Sequence, residues 1–255
     1  AFNNGAVELL GYGGSSEGAL NHGIQIHGSG SSVTAVDGQI TISGTGGGLA
    51  SSENNGGVHI EDGALVNTLG AGNISVLGDG GTTSGWINRG ILISEATISS
   101  SGGAVNGLGR GGGLGNTSSN HNFGLQIHDS NITTLLSGGI SLTGYGGMGD
   151  GKQFGVFVWG TGGTTALETV DGDINISGYG GHDDLGSAGE HYGVVFNNGG
   201  DVRSTGTGNV TVHGRAGSSQ GGGNHGVAIY HSSTVGAKDG NLSVTGVGGG
   251  AEQSS

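Results

Sequence analysis

The chain has 255 residues, of which 66 are glycine, none is cysteine or proline, and only 10% are charged. The lack of cysteine excludes disulfides, Cys-ligated zinc and a thiol nucleophile. The lack of proline and of a three-residue glycine period excludes collagen, and an abundance of Val, Ile and Thr separates the chain from disordered acidic sequences. The formal charge of −13 comes from 19 acids and 6 bases. The bases (Arg89, Arg110, Lys152, Arg203, Arg215 and Lys238) do not cluster, so a nucleic-acid footprint is not expected.

The first predicted strand follows Gly5 in the phrase G-x-φ-x-φ-x-G (φ apolar), with Val7 and Leu9 flanking Glu8. A loop that opens "GYGG" leads to Gly23 and a second strand, "IQIH", and a third, "SVTAV", follows. The opening phrase then returns at Gly38, Gly72, Gly103, Gly138, Gly172, Gly208 and Gly240, at spacings of 33, 34, 31, 35, 34, 36 and 32 residues. Its apolar pairs are Ile40/Ile42, Ile74/Val76, Val105/Gly107, Ile140/Leu142, Ile174/Ile176, Val210/Val212 and Leu242/Val244. Gly107 alone breaks the apolar set, so the fourth copy is expected to pack worst. Second strands recur as "VHIE", "ILIS", "LQIH", "VFVW", "VVFN" and "VAIY", and third strands as "ALVNTL", "ATISS", "NITTLL", "ALETV", "DVRST" and "STVGA".

Apolar-polar alternation over short β-branched runs reads as strands with one buried face, and helical periodicity is missing throughout. Three strands repeated every 33 residues or so describe the coil of a right-handed parallel β-helix, an all-β solenoid of about seven coils. At a spacing of about 4.8 Å per coil it forms a rod of roughly 35 Å, read as a single elongated domain over 1–255. The glycines are expected to turn the chain between strands through backbone angles closed to other residues. The missing prolines fit coils paired on both sides. The opening "AFNNGA" has no signal-peptide character and reads as the inside of a repeat, so a segment of a longer array or a fibre subunit is expected. No apolar run is long enough for a membrane-spanning helix.

The recurring G-[ND]-[IVL]-[ST]-[IVL]-x-G strands, as in "GNISVLG" and "GNVTVHG", the Gly/Ser/Thr/Asn bias and the absence of Cys resemble bacterial secreted β-helix repeat proteins, namely filamentous-haemagglutinin-like exoproteins and autotransporter passenger domains. The resemblance covers essentially the whole chain. It implies an extracellular or cell-surface rod.

For chemistry, the densest polar cluster is His182, Asp183, Asp184, Glu190 and His191. Its carboxylates suit calcium and its histidines a transition metal; the alternative is a solvated loop, since no metal-spacing motif is matched. No other cofactor is implied. Sequons at Asn73, Asn116, Asn131, Asn175, Asn209 and Asn241 read either as glycosylation acceptors or, for the four that open first strands, as an asparagine stack between coils. Phosphate-binding fingerprints are rejected because no helix follows the glycine-rich turns. An ice-binding threonine ladder is disfavoured by the mixed residues of the first strand.

The second strand is the expected contact surface. Its first outward row is Gln25, His59, Leu92, Gln126, Phe157, Val195 and Ala228, and its second is His27, Glu61, Ser94, His128, Trp159, Asn197 and Tyr230. Gln126, His128, Phe157, Trp159, Val195, Asn197 and Tyr230 are the candidate ligand- or partner-binding set, unless the long loop folds over them. The expected function is a non-enzymatic structural or adhesive rod of a secreted surface protein or extracellular fibre. Its expected partners are copies of itself, further repeats, or glycans and cell-surface molecules. The alternative is a polysaccharide-degrading β-helix enzyme or carbohydrate-binding module.

Overall fold

The computed structural model describes residues 4–115, 118–161, 165–182, 189–219 and 221–250. Its strands form three parallel sheets. The first sheet holds β1 (Val7–Tyr12), β4 (Ile40–Thr45), β7 (Ile74–Asp79), β10 (Val105–Arg110), β13 (Ile140–Tyr145), β16 (Ile174–Tyr179), β19 (Val210–Arg215) and β22 (Leu242–Val247). The second holds β2 (Ile24–His27), β5 (Val58–Glu61), β8 (Ile91–Ser94), β11 (Leu125–His128), β14 (Val156–Trp159), β17 (Val194–Asn197) and β20 (Val227–Ile229). The third holds β3 (Ser32–Ala35), β6 (Leu65–Thr68), β9 (Thr97–Ser100), β12 (Asn131–Thr134), β15 (Thr165–Thr169), β18 (Gly200–Ser204) and β21 (Thr234–Ala237). Each strand pairs with its counterpart one coil away, as Ile40 with Ile74 and Ile140 with Ile174. The chain is therefore a parallel β-solenoid of about seven turns with three strands per coil, and no helix occurs among the described residues.

The repeat's apolar positions fill the interior as ladders. Ile40, Ile74, Val105, Ile140, Ile174 and Val210 form one and Val66, Ile98, Ile132, Leu167 and Val202 another, all buried. Each such side chain contributes roughly 1.5–3 kcal/mol on leaving water. A polar inward row ends the third sheet: Thr68, Ser100, Thr134, Thr169 and Ser204 are buried. These hydroxyls satisfy themselves at the next corner, where Thr68 Oγ1 donates to the Gly72 carbonyl at 2.8 Å and Thr169 Oγ1 to that of Gly172 at 2.6 Å.

Two expectations are corrected here. The glycine that closes each first-strand phrase does not turn the chain. It is an inward strand residue at the narrow corner between the first and second sheets. A Cβ on Gly144 would stand 2.0 Å from the Gly155 carbonyl oxygen, and one on Gly178 2.1 Å from that of Gly193. Close backbone approach, rather than backbone angle, excludes a side chain there. The expected left-handed glycines do occur at turns, as at Gly28 and Gly30 with φ of 93° and 95°, and other such positions are held by Asn54, Asp62, His121, Asp129 and Asn198. The fourth copy is also not left hollow, because Leu142 Cδ2 and Leu125 Cδ1 lie 2.9 and 3.1 Å from where a Gly107 Cβ would be. The larger neighbours close over the glycine.

The asparagine stack at the first strands is real but shorter than expected. Asn209 Oδ1 accepts from the Asn241 N–H at 2.9 Å, and Asn73 Oδ1 from the Ala104 N–H at 2.8 Å. Asn175 sits one position further, on the exposed face of β16.

Candidate functional site

A second, buried ladder was not read from the sequence, and it builds the wall of the site. Two residues before each second-strand glycine stand Asn21, Asn55, Asn88, Asn122, Gln153, His191 and Asn224. The Asn55 N–H donates to Asn88 Oδ1 at 3.2 Å, the Asn88 N–H to Asn122 Oδ1 at 2.8 Å, and the Asn122 N–H to Gln153 Oε1 at 3.1 Å. Their carbonyls accept from the G-x-G-G loops: Gly81 N–H to Asn55 O, Gly112 N–H to Asn88 O and Gly147 N–H to Asn122 O, each at 2.7 Å. The G-x-G-G loop thus begins as a hydrogen-bonded rung. The signal was present as N-x-G, in "NHG", "NGG", "NRG" and "NFG".

The residue between the ladder amide and the glycine points over the second sheet. It is His22, Gly56, Arg89, Phe123, Phe154, Tyr192 and His225 in successive coils. Phe123 stacks on Phe154 with centroids 4.8 Å apart, Phe154 on Tyr192 at 5.0 Å, and Tyr192 on His225 at 5.3 Å. This column covers much of the first outward row: His59, Leu92, Gln126, Val195 and Ala228 are buried rather than exposed. Where the column has only Gly56, His59 fills the space, and its Nε2 would lie 2.0 Å from an added Cβ.

At the amino-terminal end of this sheet, the rings of His22 and His59 lie against each other, tilted by 34° with centroids 3.8 Å apart, and His59 Nδ1 lies 3.4 Å from Glu61 Oε1. Burial, and next the neighbouring His59, lower the His22 pKa to about 4. The hydrogen bond to His59 is the main cause that lowers Glu61 to about 2. Both folded values lie below the unfolded ones, so the unfolded chain binds more protons in acid. Stability is therefore expected to fall as pH drops from 6.5 to about 4 through His22, and again from 4.5 to about 2 through Glu61. Melting temperature against pH checks this. His22→Phe, the residue at that rung in two later coils, should flatten the upper part of the slope; an unchanged slope would remove His22 as its source.

Further along, the sheet opens into a groove of about 620 Å³ lined by the aromatic column, Arg89, His121, Gln126, Lys152, Phe157, Trp159, Glu190, Val195, Asn197, Tyr230 and His231. Six of the seven predicted contact residues are brought together there: Gln126, Phe157, Trp159, Val195, Asn197 and Tyr230. His128 supports them from behind, stacked on Trp159 with centroids 4.2 Å apart and held by Asp129 at 3.1 Å. On the other side of Trp159 the next rung is Asn197, which drops the surface and accommodates a groove. Asn197 Oδ1 lies 2.7 Å from His231 Nδ1.

The groove is cationic at one end. Lys152 pairs with Glu190 at 3.1 Å across the rim. Arg89 lies 6.0 Å from the Phe123 ring centroid, and its guanidinium makes no hydrogen bond or ion pair to any described residue. Burial lowers its pKa to about 10, so it remains a cation at neutral pH. Burial, then Arg89 and Lys152, lower the pKa of His121. Strand periodicity did not reveal Arg89, His121, Phe123, Lys152, Phe154 and Tyr192, which precede second strands, or His231, which follows one.

Of the predicted metal set, three residues, His182, Glu190 and His191, lie among the described residues. Asp183 and Asp184 lie outside the described residues. Of the others, Glu190 faces Lys152, His191 is buried in the amide ladder, and His182 Nδ1 lies 2.5 Å from Ser218 Oγ. No group of three His, Asp or Glu side chains able to hold a metal forms among the described residues. A shallower hollow of about 530 Å³ follows the G-x-G-G edge and is lined largely by glycine backbone.

The fold and groove define the class as a three-sheet parallel β-solenoid, compatible with β-helix repeat proteins. Comparison with family models, curated proteins and solved structures found no match.

Proposed function

We propose that this chain is a non-enzymatic rod segment of a secreted or cell-surface protein, with the coils as scaffold and the second-sheet groove as the point of recognition for glycans or other surface molecules. The observation that carries the reading is the groove itself: Phe157, Trp159 and Tyr230 gather in one concavity on an otherwise repetitive exterior. Aromatic walls with a few convergent polar groups are the usual makeup of a ligand site. A hydrolytic reading would call for two carboxylates flanking the substrate bond. Among the described lining residues the groove has one, Glu190, and it is paired with Lys152.

A glycan-array screen tests recognition. Wild type should bind a defined subset of glycans and Trp159→Ala should lose at least about tenfold in affinity at unchanged melting temperature. Equal binding by both proteins removes the groove as the site.

A further inference from the structure

The groove floor contains a donor and an acceptor that no described residue answers. Arg89 is partly buried, its Nε is buried with no hydrogen-bond partner, and among the described residues its guanidinium forms no ion pair, Glu61 acting on it only at longer range. Gln126 is 7% exposed, and its Oε1 is also buried without a partner. Exchanging the amide's oxygen and nitrogen would leave an orphan donor in the same place. The two residues belong to adjacent coils and line the same cavity, with Phe123 beside them. Buried polar atoms are normally satisfied, and a buried cation is normally paired. Here the chain has 19 acids and 6 bases, yet none of the described acids pairs with this guanidinium.

We propose that the groove binds an acidic saccharide, its carboxylate or sulfate seated on Arg89, a hydroxyl hydrogen-bonded to the Gln126 amide, and its ring against Phe157 and Trp159. An anion answers the guanidinium with charge-assisted hydrogen bonds. A hydroxyl answers the amide in either orientation, since it both donates and accepts. An apolar ligand would answer neither group, and a neutral sugar only the second. Lys152 reinforces the positive end, and Glu190 across from it restricts where a second negative charge can lie. Non-specific attraction of polyanions is opposed by the net charge of −13, so anion selectivity has to come from the site.

This rests on the groove being the recognition site, and the test separates the two. Calorimetric titration of the full chain would use three tetrasaccharides: a neutral β-glucan, a polyuronate and a heparin-derived sulfated fragment. At least one acidic probe should bind about tenfold or more tighter than the neutral one. Arg89→Gln should erase that margin without lowering the melting temperature, because a partly buried guanidinium with no ion pair to a described residue adds little to the stability of the fold. Gln126→Leu should weaken the acidic probe while leaving the fold intact. Which acidic probe binds distinguishes a carboxylate from a sulfate seat. Equal binding of neutral and acidic probes, all lost in Trp159→Ala, would overturn the acidic assignment and leave the groove reading standing. Binding untouched by Trp159→Ala, or absent for all three probes, would overturn both. A marked fall in melting temperature in Arg89→Gln would make the arginine structural and also overturn the assignment.

Discussion

Gly144→Ala is expected to destabilise the solenoid by about 3–5 kcal/mol, at the upper end of single substitutions. Gly144 lies inside β13, and its missing side chain is what lets the first sheet meet the second. A Cβ there would stand 2.0 Å from the Gly155 oxygen, 2.6 Å from its carbonyl carbon and 2.8 Å from Val156 Cγ2. Two of these atoms are backbone. They are fixed by ladder bonds, the Leu125 N–H donating to the Gly155 carbonyl at 3.0 Å, so they cannot move without breaking pairing to the next coil. Gly107→Ala provides the contrast. Its nearest neighbours are the tips of two leucines, at 2.9 and 3.1 Å, which can shift, so a cost of about 1 kcal/mol or less is expected. Denaturant unfolding of the two variants checks the difference. Similar losses for both would show that glycine serves some purpose other than close approach.

Asn88→Ala is expected to cost about 3–5 kcal/mol through a different mechanism. Asn88 is fully buried, and its Oδ1 accepts from the Asn55 N–H at 3.2 Å and from Asn55 Nδ2 at 3.0 Å. Its own Nδ2 donates to Thr83 Oγ1 at 3.1 Å and to the Gly85 carbonyl at 3.0 Å. Alanine would strand the Asn55 N–H away from water, at roughly 1–3 kcal/mol, and would add a cavity and the loss of the amide's own bonds, while the Gly85 carbonyl keeps the Ser119 hydroxyl as donor. Asn209→Ala removes a similar ladder bond from the solvent-facing side of the first sheet. Water can replace that partner, so about 0.5–1 kcal/mol is expected. Equal melting temperatures for the two variants would contradict a structural role for the buried ladder.

The strands were legible because alternation is a local signal. Ile40 and Ile42, or Ile174 and Ile176, declare a buried face within five residues, and their recurrence near 34 residues declares the stack. Phe157, Trp159 and Tyr230 were legible as an aromatic cluster once second strands were aligned. What escaped lies between strands, where no period applies. Phe123, Phe154 and Tyr192 look like loop residues until the N-x-G phrase places them one rung apart. Arg89 looked like one of six scattered bases, because its meaning depends on which coils it lies between. The backbone-angle account of the glycines holds at turns such as Gly28 and Gly30 but not at the glycines that close the first strands. In a chain folded this tightly, the distance between neighbouring corners excludes a Cβ more often than backbone angle does. In the predicted metal set, adjacency in sequence does not carry over to space. His191 and Glu190 are adjacent in sequence but face different surroundings, the buried ladder and the groove.

The central claim is that the second-sheet groove is where this rod recognises its ligand. The chain has two tryptophans, Trp86 and Trp159, and Trp86 is exposed outside the groove. Trp86→Phe therefore leaves Trp159 as the only indole reporter, stacked on His128 at the groove's wall. Titrating this variant with the tightest-binding glycan from the array should give a saturable shift in Trp159 emission, with a midpoint equal to the dissociation constant measured by calorimetry. Saturating, calorimetrically confirmed binding with no change in Trp159 emission would place recognition elsewhere on the rod.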